Sequence, residues 1–263
     1  MKIMKLTLIG LSILLIGQLH AQDTDSSRKE RLKTEILKNL NDKKQDWIFN
    51  YIDQKKGWKS LSKSYNNLEA INFDNYDLIL KAKKRKIISV NLNQGITFRP
   101  YDNDKYPFIV LYIGDSLKIW TSEGSESKCS KATYLLFSSL NNLRLSEIVE
   151  KKLASFQKIA TDYKALSEKP TITEEQRKYI VQANSKNEKK EYNEALELYK
   201  KAIDVNPTAY PSAYNNMALI AAQIQDYWYA ILNMKKYLML VPEAEDARDA
   251  KDKIYEWEVE IEK

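Results

Sequence analysis

The sequence predicts an α+β protein in two parts. An N-terminal domain of helices and a small, mainly antiparallel sheet precedes an all-α array of two helical repeats and a capping helix. Three observations predict this division. Segments rich in β-branched and aromatic residues follow one another between residues 77 and 138. Apolar residues then return at steps of three and four from Leu145 to Leu166. The last third of the chain repeats itself every 35 residues.

The first 21 residues have the pattern of a secretory signal peptide. Lys2 and Lys5 precede an apolar run from Leu6 to Leu15, and the segment closes with Leu19-His20-Ala21. The run is shorter than the roughly 20 apolar residues that a membrane-spanning helix needs. We therefore expect cleavage after Ala21 and an exported product, periplasmic or secreted, that is not an integral membrane protein.

Residues 22–168 are assigned to an α+β domain of a family that the sequence does not identify. Apolar residues at helical spacing predict a long amphipathic helix over residues 26–56. Gly57 interrupts this pattern. A second helical piece is expected from Trp58 to Leu68, where apolar side chains again recur every three or four residues.

Next along the chain, four or five short strands are expected to form an antiparallel sheet. The segments are residues 86–93, 96–99, 108–113, 117–121 and 133–138. The tetrapeptide Ile113-Gly114-Asp115-Ser116 predicts a hairpin turn, because glycine tolerates positive φ. Polar residues 122–131 predict a loop.

A further helix is predicted from Leu145 to Leu166, with Ser146 as its N-cap. The segment Ser167–Pro170 ends this helix and marks the predicted domain boundary. Because two repeats make a short array, we expect the helix to pack against the open end of the repeats.

Residues 171–263 form the repeat domain. Matching residues lie 35 positions apart: Tyr179 and Tyr214, Ala183 and Ala218, Tyr192 and Tyr227, Ala195 and Ala230, Tyr199 and Met234, Ala202 and Tyr237, Pro207 and Pro242. Small alanines let neighbouring helices approach closely, and Pro207 ends a helix. Each unit therefore reads as helix, turn, helix, with the first at about 176–210 and the second at about 211–242. Segment 243–262 has one apolar and one charged face, as a capping helix requires.

This order of aromatic, small and proline residues resembles the tetratricopeptide repeat, whose usual period is about 34 residues. The resemblance covers only the last third of the chain. It implies stacked helices that bind a protein or peptide partner and do not catalyse a reaction.

The resemblance also implies which residues line a groove along the first helix of each unit. The inward positions are Arg177, Ile180, Asn184 and Asn187, then Ser212, Asn215, Leu219 and Ala222. The candidate partner-binding residues are Arg177, Asn184, Asn187, Asn215 and Leu219. Some members of the family hold a peptide carboxylate with lysine and asparagine, but Ile180 stands where that lysine would be. We expect a mixed polar and apolar groove for an extended or helical peptide.

Composition argues against several kinds of catalysis. The single histidine, His20, lies in the signal segment, so the mature chain has no imidazole for a catalytic triad or a metal site. Cys129 is the only cysteine and cannot form an intramolecular disulfide. We therefore expect no catalytic residues, no cofactor and no metal.

Three short motifs have both a chemical and a structural interpretation. The spacing Ser60–Lys63 matches Ser-x-x-Lys enzymes, but their companion motifs are missing, so a chance match is favoured. Asp102–Asp104 resembles the start of a calcium loop, yet Pro107 follows where further ligands are needed, which favours an exposed turn. The basic residues in 81–86 fit either an anionic partner or a hairpin turn at a sheet edge.

Charge is divided unevenly between the two parts. Basic residues outnumber acidic ones by eight in residues 22–170, whereas acidic residues outnumber basic ones by four in residues 171–263.

Two alternative functions stay open beside partner binding in a cell-envelope or secretion assembly. One is an enzyme with carboxylate chemistry in the N-terminal sheet, and the other is a binder of anionic envelope surface through the basic half. Nucleic-acid binding is not expected, and the oligomeric state is not predicted.

Overall fold

The structure is a computed structural model. It describes residues 24–42, 47–53, 57–62, 68–82, 86–92, 96–101, 108–121 and 128–262. The chain divides into two compact units, Met1–Arg144 and Leu145–Lys263. The predicted signal segment and residues 102–107 lie outside the described residues, so the signal peptide and the cleavage site stay predictions.

The fold is α+β, as the sequence predicts, with both sheets in the first unit. Seven helices are described: α1 (Asp25–Leu40), α2 (Lys128–Ala165), α3 (Glu174–Glu188), α4 (Tyr192–Val205), α5 (Ser212–Gln223), α6 (Tyr227–Leu240) and α7 (Ala247–Glu262). Eight strands are described: β1 (Trp47–Asp53), β2 (Gly57–Ser62), β3 (Leu68–Asp74), β4 (Asp77–Ala82), β5 (Lys86–Asn91), β6 (Ile96–Tyr101), β7 (Phe108–Ile113) and β8 (Leu117–Thr121).

The eight strands form two antiparallel sheets. The larger sheet has the order β2-β1-β8-β7-β6, and the smaller has the order β3-β4-β5. Period-two burial explains the strands, since Leu117 and Ile119 of β8 are buried on the same face. Ile36 and Leu40 of α1 join the same apolar core. The Trp47 Nε1 donates to the Asn39 carbonyl oxygen at 2.8 Å, which ties β1 to the end of α1.

The predicted hairpin at residues 113–116 is confirmed. Ile113 pairs with Leu117 across β7 and β8, and Gly114 takes a φ of 52°. Glycine reaches this left-handed region at little cost.

The prediction of a long helix over residues 26–56 is wrong beyond Leu40. Trp47, Phe49 and Tyr51 alternate inward as a strand, whereas Trp47 and Tyr51 alone also fit a helical step of four. The second predicted helical piece is also wrong, because residues 57–62 and 68–74 are strands β2 and β3. Pairing with neighbouring strands, which the sequence pattern does not show, outweighs the local preference here.

Further along the chain, helix α2 replaces two predicted features. The expected strand at 133–138 is helical, and its buried side chains Thr133, Phe137 and Leu140 recur at steps of three and four. Ser146 lies inside this 38-residue helix and cannot be an N-cap. Of the predicted loop at 122–131, residues 128–131 are helical and the rest lie outside the described residues.

The second unit repeats its backbone as the sequence repeats its residues. Helices α3 and α5 end at Glu188 and Gln223, and α4 and α6 both start and end 35 residues apart. The turns also correspond, because Lys190 has a φ of 60° and Gln225 a φ of 62°. Each turn closes with an amide-to-carbonyl bond of 2.9 Å, from Glu191 to Lys186 in one and from Asp226 to Ala221 in the other.

The helices of the second unit pack through the residues that define the repeat. Ala183, Ala195, Ala202, Ala218 and Ala230 are all fully buried, which allows adjacent helices to approach closely. Their neighbours are large apolar and aromatic side chains, so the alanines and the rings together fill the interior.

Two further helices complete this core. Phe156, Ala160 and Tyr163 of α2 belong to the same cluster as Tyr214 of α5. The apolar stripe of α7, which includes Trp257, is buried in that cluster, while most of its other residues are exposed. No helix within the described ranges is long and apolar enough to cross a lipid bilayer.

Candidate partner-binding groove

The five predicted partner-binding residues lie on the first helices of the two pairs. Arg177, Asn184 and Asn187 are exposed on α3. Leu219 is 37% exposed on α5, and Asn215 is half-buried on the same helix. By contrast Ile180, which the family resemblance also places in the groove, is buried in the α3 core face.

Asn184 is held in place by the fully buried Tyr199 of α4. The Tyr199 hydroxyl donates to Asn184 Oδ1 and accepts from Asn216 Nδ2, the latter at 2.9 Å. Burial raises the pKa of Tyr199, so the hydroxyl keeps its proton at neutral pH. This chain of hydrogen bonds joins α3, α4 and α5 and fixes the direction of the Asn184 side chain.

Asn215 is held by a carboxylate next to the capping helix. Its Nδ2 donates to Asp246 Oδ2 at 3.1 Å, and Asp246 Oδ1 accepts from the Tyr237 hydroxyl at 2.5 Å. Burial, together with the nearby carboxylate, raises the pKa of Tyr237 to about 12. Asp246 therefore links α5, α6 and the start of α7.

Two of the predicted residues meet in a pocket of about 320 Å³. Asn187 approaches it from the end of α3, and Leu219 from α5. The remaining lining residues are Glu188 of α3, Lys190 of the first turn, Tyr192 of α4, and Asn216, Ile220 and Gln223 of α5. Arg177, Asn184 and Asn215 do not line this pocket. Its mixture of amide, charged and apolar groups suits a peptide segment better than a purely apolar ligand.

The turn beside this pocket is stabilised by charge. Lys186 forms ion pairs with both Glu191 and Glu194. Hydrogen bonds to these carboxylates raise the pKa of Lys186, and the bond to Lys186 lowers the pKa of Glu191. Both groups are thus charged at neutral pH and hold the end of α3 against the start of α4.

Sequence reasoning missed a second pocket, of about 540 Å³, in the same unit. Residues of α2, α4, α5 and α6 line it, among them Lys152, Lys200 and Lys236 and the rings of Phe156, Tyr214 and Tyr229. One sequence signal could have indicated it. Lys235 and Lys236 stand side by side in helix α6, whose other residues except Asn233 are apolar or aromatic. Of the two, only Lys235 has a described carboxylate within ion-pair distance, that of Glu150 at 3.9 Å.

The other candidate motifs gain no chemical support. Ser60 lies in β2, while its partner Lys63 falls outside the described residues, as does Asp102–Asp104. Lys81 forms an ion pair with Glu69 at 3.0 Å. Among the side chains that the structure describes, no three histidine, cysteine, aspartate or glutamate residues are grouped to hold a metal ion.

Compared with known proteins, the chain matches no family model, no curated sequence and no solved structure. The resemblance to tetratricopeptide repeats therefore rests on the residues themselves and on the duplicated helical pairs.

Proposed function

We propose that the chain is an exported, non-enzymatic protein of the tetratricopeptide-repeat type. It binds an extended or helical segment of another protein along α3 and α5, as part of a cell-envelope or secretion assembly. The observation that carries the proposal is the pocket between the two repeats, where Asn187 and Leu219 meet. Export is proposed from the first 21 residues, which have the signal-peptide pattern.

A rigid groove binds a peptide at a lower entropic cost than a flexible one. Two features make this groove rigid. Tyr199 orients Asn184, and Asp246 orients Asn215, so both amides are already fixed before a ligand arrives. The exposed Leu219 then offers an apolar anchor, while Asn187 can pair with the backbone of the bound segment.

The test uses peptides selected by display against the full chain, whose affinities are then measured by fluorescence polarisation. The variant Asn187→Ala/Leu219→Ala removes the two pocket residues and keeps the internal bonds of Asn184 and Asn215. We expect binding to weaken at least tenfold, which corresponds to about 1.4 kcal/mol.

A matched control removes an asparagine and an exposed aliphatic residue elsewhere on the repeats. Asn193 and Val181 are both exposed and do not line the pocket. Asn193→Ala/Val181→Ala should therefore bind the selected peptides like the unmodified chain. Equal affinities for the pocket variant and the unmodified chain would show that the groove is not the binding surface.

A further inference from the structure

The second pocket contains a lysine without a counter-charge. Lys236 lies half-buried on α6, with its Nζ 5.1 Å from the centre of the Phe156 ring and 5.6 Å from that of Tyr214. No described carboxylate lies within ion-pair distance of this ammonium group. Its contacts with the two aromatic faces are favourable but weaker than a buried ion pair.

The surrounding charges do not neutralise Lys236. Lys152 faces the same pocket, and its charge adds to burial in lowering the pKa of Lys236. Lys200 also lines the pocket but is already paired with Glu197 at 2.6 Å. One acidic residue, Asp204, is present among the lining groups. Lys236 and Lys152 have no ion-pair partner among the described residues and together outnumber Asp204, so the pocket carries a net positive charge.

Keeping an uncompensated ammonium group partly buried destabilises a fold, and an apolar residue of similar length would avoid the penalty. Most of the other lining side chains are apolar or aromatic, including Ile159, Ile203 and Leu232. A methionine would fit such surroundings. A charge held at this cost in a pocket points to a ligand that supplies the missing negative charge.

We propose that this pocket binds a carboxylate carried on an apolar body, with the carboxylate at Lys236 and Lys152 and the apolar part against Ile159 and Leu232. Asp204 offsets one of the two lysine charges, so a monoanion balances the charge that remains, whereas a phosphate dianion would leave excess negative charge facing apolar walls. The pocket volume of about 540 Å³ lies in the range typical of small-ligand sites. The lining includes Tyr214 and Met217 of α5, but it shares no residue with the pocket at Asn187 and Leu219, so the two sites are distinct.

Two sources could supply such a carboxylate, and two probes distinguish them. N-acetyl-phenylalanine represents a chain terminus or a small aromatic acid. A tripeptide of glycine, glutamate and phenylalanine, acetylated at its start and amidated at its end, represents an acidic side chain within a protein. Binding to the full chain is measured by calorimetry and by amide shifts in nuclear magnetic resonance spectra. We expect at least one probe to bind with a dissociation constant of about 1 mM, as its size allows.

The decisive variant is Lys236→Met, and Lys235→Met is its matched control on the same helix. Removing the charged partner should weaken probe binding at least tenfold, while the control, whose lysine pairs with Glu150 outside the pocket, should bind normally. Lys236→Met should also raise the melting temperature, since it removes an uncompensated charge. If it fails to fold, Lys152→Met tests the same site through an exposed residue.

Three results would overturn the proposal. The first is equal binding of N-acetyl-phenylalanine amide, which lacks the carboxylate. The second is unchanged binding by Lys236→Met, and the third is an equal loss in the Lys235→Met control. The groove variant Asn187→Ala/Leu219→Ala should leave probe binding unchanged, so a failure of this site and a failure of the proposed function can be told apart.

Discussion

The two helical repeats share a backbone but hold it together with different side chains. In the first repeat, Asn184 and Tyr199 form a hydrogen bond between the two helices. The residues 35 positions later are Leu219 and Met234, which are apolar. The last residue of the first helix, the turn and both ends of the second helix nevertheless correspond in the two repeats.

The reverse exchange occurs one turn away. Asn215 and Tyr237 of the second repeat are joined through Asp246, whereas their equivalents in the first repeat are Ile180 and Ala202. A polar pair can be replaced by an apolar pair at little cost when both members change together, because no polar group is then left without a partner. The repeated backbone therefore tolerates different internal contacts, and each repeat keeps its own set.

The largest predicted difference between the repeats concerns the first aromatic position. Tyr214 is 2% exposed, and its ring packs edge-on to Phe156 with centroids 5.4 Å apart. Tyr214→Ala should lower the free energy of unfolding by about 3–5 kcal/mol. Tyr179, its half-buried equivalent, should cost only about 1–2 kcal/mol when replaced by alanine. Urea unfolding followed by circular dichroism measures both, and equal losses would contradict the comparison.

The buried hydroxyls predict a loss of stability in alkali. The raised pKa of Tyr237, about 12 against an ordinary 10.0, means that the unfolded chain loses this proton first. Its contribution is complete below pH 10 and is lost as the pH rises towards 12. Tyr237→Phe should cost about 1–3 kcal/mol at pH 7, and this cost should shrink across that window.

Tyr199→Phe tests the same effect in the first repeat, where burial raises the tyrosine pKa in the same direction. Unfolding curves recorded at intervals from pH 7 to pH 12 follow both variants. A difference from the unmodified chain that stays constant up to pH 12 would show that the hydroxyl proton does not matter to the fold.

The smallest predicted effect concerns the matching turns. A left-handed conformation costs a non-glycine residue about 1–2 kcal/mol, which a glycine avoids. Glycine, however, loses more chain entropy on folding, which reduces this gain by about 0.5–1 kcal/mol. Lys190→Gly and Gln225→Gly should therefore each stabilise the chain by about 0.5 kcal/mol, and by similar amounts. Lys189, with a φ of −80°, is the control, since its replacement by glycine should destabilise. Thermal unfolding compares the three, and a destabilising Lys190→Gly would refute the equivalence of the turns.

How much could be predicted differs between the two parts of the chain. The repeat pairs and the capping helix follow from contacts close in sequence, so Tyr192 and Pro207 mark α4 well before any tertiary structure is considered. In the first unit, by contrast, Trp47 of β1 pairs with Thr121 of β8, which lies far along the chain. A helical step of four and a strand step of two both fit its neighbours, and only the distant partner decides between them.

The sequence predicted which helices carry the candidate site, but not which contacts its side chains make. The resemblance placed Asn184 and Asn215 on the first helices, where they lie. It could not show that these two side chains are already hydrogen-bonded to Tyr199 and Asp246. A hydrogen bond between two helices produces no regular spacing in the sequence. Lys236 escaped notice for a related reason, since a lysine beside another lysine reads as a solvent-exposed face until the surrounding helices bury it.

The strand order of the larger sheet has a consequence for folding. Strand β1 lies between β2, which follows it directly, and β8, which ends at Thr121. Pairing β1 with β8 requires closing the long loop between them, and the entropic cost of that closure slows folding. The helical pairs of the second unit, in contrast, contact mainly their neighbours in sequence. We therefore expect the first unit to fold more slowly than the second, and synthesis from the N-terminus produces the slower one first.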